Sequence, residues 1–377
     1  MEKERQLKIL NDILSINTVN GNKNERELAL YIKKLFERYG ITSSIEEIDE
    51  GRANIIGLIE GKDTDFLLFN GHLDTVPYGN KEAWVTDPSK PVEREGKIYC
   101  RGTSDMKSGL AAIVCAFCEL AESSIKPEYT LVFVGTSDEE KGGTGAIKAK
   151  ESKIAEGAKA LIIGEPTGNA ICLAEKGCIW LNCKTKTRTS HSAYPEKGVN
   201  AIEVSYHFFE RVSKFVSKFS YPLLGNSTAS LNRIEGGFLS NMVPDECNFL
   251  IDIRPTSSLK FNILMKKIDQ IIRDLKEEYS FLEINYSIEN YRRPLEIERQ
   301  NKIVNKFSKT IENVTNKEVN YIGINFFSDG SILSKNDTFL PVFMFGPGDP
   351  ELAHQPNENV SIISYFEAIE IYLNFMK

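Results

Sequence analysis

The chain has 377 residues and a formal net charge of −7. A chain of that length corresponds to about two domains and can bury a core that needs neither disulfides nor a folding metal. The acidic balance, with no basic face or arginine-rich tract, excludes nucleic acid as the expected partner.

The opening stretch, MEKERQLKILNDIL, is charged and helix-periodic through Leu7, Leu10 and Leu14. It has no apolar signal core. A second helix places Leu28, Tyr31, Ile32, Leu35 and Phe36 on one face and ends at Gly40. Apolar runs at 54–59, 66–69, 129–135 and 160–164 are continuous rather than alternating. Such runs read as strands buried on both faces. Helical patterns at 108–121 and 144–151 lie between them, which predicts an α/β layer with a largely parallel sheet. The apolar run 110–120 is too short to span a membrane.

Past Lys176 the rhythm changes. A strand at 178–187 precedes a long helix at 199–219. Strands at 227–235 and 246–254 are joined through GGFLSNMVPD. A helix at 259–275 is expected to share Ile263, Leu264, Ile268, Ile271 and Leu275 on one face. An alternating strand follows at 282–291. The order β-α-β-β-α-β is the ferredoxin-like pattern. A helix at 301–313, strands at 318–324 and 339–345, and a helix at 361–376 then resume the α/β style. The expected domains are therefore a catalytic domain in two parts, 1–177 and 292–377, and an inserted domain, 178–291. The seven cysteines are odd in number and scattered, which suits reduced thiols in a cytoplasmic protein. Cys115 and Cys118 form a CxxC inside a helical apolar pattern and read as core packing.

The chemistry-bearing residues share one address. His72 follows the strand 66–69, Glu139 and Glu140 follow 129–135, and Glu165 follows 160–164. His354 lies in a loop after 339–345. Open α/β sheets bind ligands outside the carboxyl ends of their strands. Asp105 sits in RGTSDMKSG, where a glycine-flanked loop opens the helix 108–121. Singly, each residue has an ordinary reading: Asp105 as a helix cap, Glu139–Glu140 as a solvated pair, Glu165 as a helix-start carboxylate. Gathered at strand ends, they read as nitrogen and oxygen donors for Zn²⁺ or a similar divalent ion. Two histidines with several carboxylates can hold two ions, about 3.5–4 Å apart, around a bridging water. One carboxylate must then stay off the ions to take that water's proton. Adjacent Glu139 and Glu140 can divide those roles.

The motifs GHLDTVP, RGTSDMKSG, SDEEKGGTGA, GEPTG, HSAYPEKGVNAIE, NMVPDE, DIRP and FGPG…AHQPNE run in this order from residue 71 to 358. In that order the chain resembles the acetylornithine deacetylase / succinyl-diaminopimelate desuccinylase family of dinuclear zinc hydrolases, with its aminoacylase and dipeptidase relatives. The resemblance implies a catalytic α/β domain with an inserted lid that forms a homodimer. It implies that His72 and Glu165 bind one metal, Glu140 and His354 the other, and that Asp105 bridges both. Zn²⁺ is the implied ion, with Co²⁺ as the alternative. It further implies Glu139 as general base. Asp74 would accept the other imidazole N–H of His72 and so aim the ring. His191, in the inserted domain, is implied to reach the partner subunit's site and stabilise the oxyanion. Where the family has a glycine near position 187, this chain has Thr187.

Arg254 and Asn241 are candidates to grip a substrate α-carboxylate, since the arginine fork suits a carboxylate. A structural ion pair is the competing reading of Arg254. Gly346 and Gly348 would let the backbone approach the substrate, or simply punctuate a turn. His207, mid-helix, is assigned no function. The expected reaction is hydrolysis of a small N-acyl amino acid, with N-acetylornithine first, succinyl-diaminopimelate second and a dipeptide third. A metal-free binding homologue is the alternative of a different class. It would be expected to lack one of His72, Asp105, Glu139, Glu140, Glu165 or His354, and all six are present. The expected location is cytoplasmic, away from membranes.

Overall fold

The computed structural model describes residues 1–21, 24–334 and 340–377. The chain forms two compact units. One comprises Met1–Leu173, Glu296–Ile322 and Ser328–Lys377, and the other Ala174–Leu295 and Gly323–Phe327.

The first unit is built on a mixed sheet whose centre is parallel. Strand Phe66–His72 lies between Thr130–Thr136 and Ala160–Ile163 and runs parallel to both. Val342–Met344 extends the parallel set beyond Ala160–Ile163. Arg52–Ile59 and then Thr42–Asp49 add antiparallel strands on the far side of Thr130–Thr136. Burial follows the apolar runs, and every residue of Phe66–His72 after the first is buried. The expected strand at 339–345 begins at Phe339, which lies outside the described residues; the strand observed is Val342–Met344. Thr42–Asp49 gave no apolar run to read. It is polar, its residues are exposed or half-buried, and its Ile45 packs against the core.

Helix Ser108–Ser123 is buried around most of its circumference, as expected for a helix that is apolar on all sides. Its Phe117 meets Phe36, Phe69 and Phe133 with ring centroids 6.0, 5.6 and 5.9 Å away. Cys115 and Cys118 are buried and free on this helix. Burial pushes the Cys115 thiol up to about 12, so the pair packs rather than reacts.

The second unit runs Cys178–Lys186, Ala201–Val216, Thr228–Gly236, Glu246–Arg254, Phe261–Glu278 and Glu283–Arg292, that is β-α-β-β-α-β. Its antiparallel sheet has the order Thr228–Gly236, Glu246–Arg254, Cys178–Lys186, Glu283–Arg292. The side chains of Ile179, Leu181, Phe249, Ile251 and Ile284 share one core with the two helices. On helix Phe261–Glu278 the buried residues are Leu264, Ile268, Ile271 and Leu275. Ile263 does not belong to that face. It is 43% exposed, because it precedes Leu264 by one residue, about 100° around the helix. His207 Nδ1 contacts the Tyr279 hydroxyl at 2.9 Å. Among the described residues no helix is long and apolar enough to cross a membrane.

Candidate metal centre

The parallel strands of the first unit deliver their carboxyl ends to one edge, and the candidate residues collect there. His72 is the last residue of Phe66–His72 and pairs with Thr136. Three residues beyond Thr136 come Glu139 and Glu140, and Glu165 follows Ala160–Ile163 by two. The turn that carries the two glutamates is pinned by Asp138. Its carbonyl accepts from the amides of Gly142 and Gly143 at 3.1 and 2.6 Å, and its carboxylate pairs with Arg52 at 2.8 Å. Asp105 lies in an irregular turn, Thr103–Lys107, that leads into helix Ser108–Ser123, and its side chain caps nothing there.

Four of these side chains form a continuous chain of contacts. His72 Nε2 lies 3.0 Å from Asp105 Oδ1. The other oxygen, Asp105 Oδ2, lies 3.2 Å from His354 Nε2. His354 Nε2 in turn lies 3.0 Å from Glu140 Oε2. Asp105 thus turns one oxygen toward each histidine. Ligand atoms of His72, Asp105 and Glu140 all fall within 4.8 Å of one another. Glu139 and Glu165 are buried beside this chain and interact with His72 through their charges.

Asp74 behaves differently from the expectation. The Nδ1–H of His72 is accepted by the backbone carbonyl of Asp74 at 2.9 Å, while the carboxylate stands 3.7 Å away. The carboxylate is occupied elsewhere. Oδ1 accepts from the Glu139 amide at 3.0 Å, and Oδ2 accepts from the Glu140 amide at 3.2 Å and from Asn20 Nδ2 at 2.9 Å. The ring is therefore aimed by the Asp74 main chain, and the Asp74 side chain holds the two glutamates.

The electrostatics explain what this cluster requires. Burial would raise Asp105, but hydrogen bonds from His354 and His72 outweigh it and hold the carboxyl well below the usual range. Hydrogen bonds to Asp105 and Glu140 lift His354 to about 10. Burial pushes Glu165 well above the usual glutamate range, and the charges of Asp105, Glu140 and Asp329 add to it against His72 alone. Glu139 is raised in the same way, by burial and then by Asp329, Glu165 and Glu140. A buried group of like charges ionises together only if positive charge is added. Imidazole nitrogens and carboxylate oxygens without thiolates are the donors that Zn²⁺-type catalytic sites use. The residues fit a bound divalent metal.

Three expected residues belong to the second unit. His191 Nδ1 accepts from the Ala193 amide at 3.0 Å, which leaves the ring proton on Nε2. The adjacent Ser192 amide donates to the Asn241 carbonyl at 3.0 Å, so the His191 and Asn241 segments run together. Arg254 donates from Nε and Nη2 to Asp252 at 2.8 and 3.0 Å, and its guanidinium lies 5.5 Å from the Phe327 ring. Thr187 keeps its side chain busy as a donor to the Val199 carbonyl at 2.6 Å.

The two glycines have a local explanation. A Cβ on Gly346 would stand 2.5 Å from the Gly164 carbonyl oxygen, and one on Gly348 would stand 2.3 Å from that of Ser104. The protein's own backbone therefore demands both. Reading the sequence overlooked Asn20, Asp329, Arg101 and Glu358. Asp329 is buried, accepts from Thr136 Oγ1 at 2.5 Å, and acts on Glu139. Burial of a charge was the signal missed, and Glu358 and Arg101 sit inside motifs already singled out.

Comparison with known proteins gives the family and the fold. The model of Peptidase family M20/M25/M40 matches residues 68–377. A probable succinyl-diaminopimelate desuccinylase of Staphylococcus aureus is 29% identical, over 98% of this chain and 96% of that protein. Aminopeptidase PepT of Bacillus cereus superposes with a TM-score of 0.81 at 21% identity, covering 100% of this chain and 98% of that one. A dinuclear metal binding peptidase from family M20 of Bacillus subtilis superposes at 0.77 with 13% identity, covering 99% and 97%. The two superpositions establish the fold.

Proposed function

The chain belongs to peptidase family M20/M25/M40, and on that premise we propose that it hydrolyses the amide bond of a small N-acyl amino acid. The observation that carries the reading is Asp105, whose two oxygens face two different histidines. That is the arrangement a carboxylate needs to serve two ions. In this reading His72 and Glu165 hold one, Glu140 and His354 hold the other, and Asp105 serves both. When bound, a pair of divalent ions, Zn²⁺ by the donor chemistry or Co²⁺ in its place, would supply Lewis acidity to the scissile carbonyl and to the attacking water.

The chain's own residues do the rest. Glu139 accepts the proton of the attacking water and passes it to the leaving amine. Its burial and its carboxylate neighbours raise its basicity, which suits a general base. Asp74 holds the Glu139 amide and so keeps that carboxylate in place. His191, with Nδ1 occupied by an acceptor role, offers its Nε2–H to the oxyanion of the tetrahedral intermediate across a homodimer. Arg254 and Asn241 take the α-carboxylate of the substrate.

For the acyl group, the name of the Staphylococcus aureus relative favours succinyl-diaminopimelate. N-acetylornithine, favoured by the VNAIE and AHQPNE stretches, is the second substrate, and a dipeptide the third. The seven free, buried cysteines support a reducing, cytoplasmic setting. A hydrolysis screen of the zinc- or cobalt-loaded protein tests the reading. It should include succinyl-diaminopimelate, N-acetylornithine, other N-acyl amino acids and dipeptides. Chelator-sensitive release of a free amino group from one acyl amino acid supports it. Turnover of none of them, with two metals bound, sinks it.

A further inference from the structure

We propose that Arg101 and Glu358 form a positioning pair that fixes Asp105 and His354 relative to each other, so that the two sides of the metal centre assemble together. The inference rests on the metal-centre reading above and adds two residues to it. Neither touches the proposed ligand atoms.

Glu358 is fully buried. Its Oε1 accepts from the backbone amides of Ser104 and Asp105 at 2.8 and 3.0 Å. Its Oε2 accepts from Arg101 Nη1 at 2.5 Å. Arg101, 4% exposed, continues outward. Nη1 donates to the Gln355 carbonyl and Nη2 to the His354 carbonyl, both at 3.3 Å. One ion pair therefore holds the amide of Asp105 at one end and the carbonyl of His354 at the other. The guanidinium also lies 5.0 Å from the Trp84 ring, which covers it.

The surrounding backbone brings these loops together but does not by itself set the ligands. Strand Asn359–Ser361 pairs with Lys97–Tyr99, and the Cys100 amide donates to the Glu358 carbonyl at 3.3 Å. Ser104 Oγ donates to the Asn359 carbonyl at 3.0 Å and accepts from the Asp349 amide at 3.1 Å. His354 then departs from this register with φ of +63°, a left-handed conformation uncommon for residues with a Cβ. Such a residue persists where its neighbours over-determine it, and the Arg101 fork is the neighbour that grips its carbonyl. A buried ion pair is a weak source of net stability compared with apolar packing. Positioning is the better account of why two charges are placed here. Partners behind metal ligands are known to change metal affinity or activity by about 10- to 100-fold.

The experiment compares the full-length protein with Glu358→Gln and Arg101→Lys. Each is dialysed against buffers of graded free Zn²⁺, and bound zinc per chain is measured together with kcat and KM on the best substrate of the screen. Glutamine keeps an oxygen for the Ser104 and Asp105 amides but loses the charge that holds Arg101. Lysine keeps a charge but has no fork to reach Glu358 and two carbonyls. We expect Glu358→Gln to bind its weaker zinc at least about tenfold less tightly. Its kcat should fall at limiting zinc and recover at excess zinc, with KM within about twofold of the parent. Arg101→Lys should move the same way by a smaller factor, and it carries the test if Glu358→Gln does not fold. A lowered melting temperature of the zinc-free variants with unchanged zinc affinity would mean a purely structural role and would overturn the proposal. So would two zinc ions bound at parental affinity with parental kcat. Fewer than two ions on the saturated parent would defeat the metal-centre reading itself, before any variant is compared.

Discussion

Replacing Asp74 with asparagine tests how Glu139 and Glu140 are held. The carboxylate is fully buried and accepts three hydrogen bonds, from the amides of Glu139 and Glu140 and from Asn20. Asparagine has one accepting oxygen. Whichever way its amide turns, an NH₂ group faces at least one donor that formerly met an oxygen. A hydrogen bond to a charged group contributes about 1.5–3 kcal/mol, and an orphaned buried donor costs about 1–3 kcal/mol. Part of this is offset, because burial already raises the Asp74 carboxyl and disfavours its charge. The net expectation is a loss of about 2–4 kcal/mol in local stability. The Glu139–Glu140 turn then shifts, and a displacement of about 1 Å at a catalytic group lowers turnover by about 10²-fold. The assay is kcat and KM on the best substrate of the screen, with zinc content measured on the same sample. Loss of kcat at unchanged zinc content is expected. Parental kcat in Asp74→Asn would refute the claim that this carboxylate positions Glu139.

Glu139→Gln should lower kcat by about 10²–10⁴-fold, the usual contribution of a general base, while two metal ions stay bound; near-normal turnover would remove Glu139 from that role. Glu25, buried at the start of helix Glu25–Arg38, is pushed up to about 7 by burial. The native state therefore binds more protons than the unfolded chain between about pH 4.5 and 7, and stability falls as pH rises through that window. Glu25→Gln should flatten that slope and raise the melting temperature at pH 8, with a ceiling of roughly 3 kcal/mol; an unchanged pH profile would contradict it. Phe307 is fully buried, with the rings of Phe343, Phe345 and Phe375 at 5.1, 5.0 and 4.8 Å. Phe307→Ala should cost about 3–5 kcal/mol in denaturant unfolding, and a cost below about 1 kcal/mol would mean that this aromatic cluster collapses to fill the gap.

The parts of this molecule that were legible in the sequence are those where one residue type answers to one local cause. Continuous apolar runs announced the strands Phe66–His72 and Ala160–Ile163 because both faces of each are covered. The alternation in Glu283–Arg292 and the helical spacing of Leu264, Ile268, Ile271 and Leu275 announced the second unit. His72, Asp105, Glu140 and His354, singled out as a group of nitrogen and oxygen donors, do come together in space. What stayed hidden depends on contacts between distant segments. Thr42–Asp49 is a strand because Arg52–Ile59 offers it an edge, and its own residues are polar. Arg101 and Glu358 look like ordinary loop charges, and only their separation of 2.5 Å across 257 residues gives them a meaning. The Asp74 carboxylate was expected to reach the nearest imidazole, yet two backbone amides that face its oxygens took it instead.

The order of charges in the centre follows from the same competition. Along the chain His72, Asp105, His354, Glu140, each carboxylate meets an imidazole and each imidazole a carboxylate. Asp105, between two histidines, is therefore the one carboxyl of the group held well below its usual range. Glu139 stands outside this alternation. His72 opposes its burial, but Asp329, Glu165 and Glu140 reinforce it. Burial and these neighbours raise its basicity, as burial and its own neighbours raise that of Glu165. Glu139 is also anchored by the amide that Asp74 grips rather than by an imidazole. In the proposed mechanism, an acid held among like charges is suited to accept a proton and to release it again. The division of labour that this mechanism gives Glu139 and Glu140 comes from their neighbours and not from the two side chains, which are chemically the same.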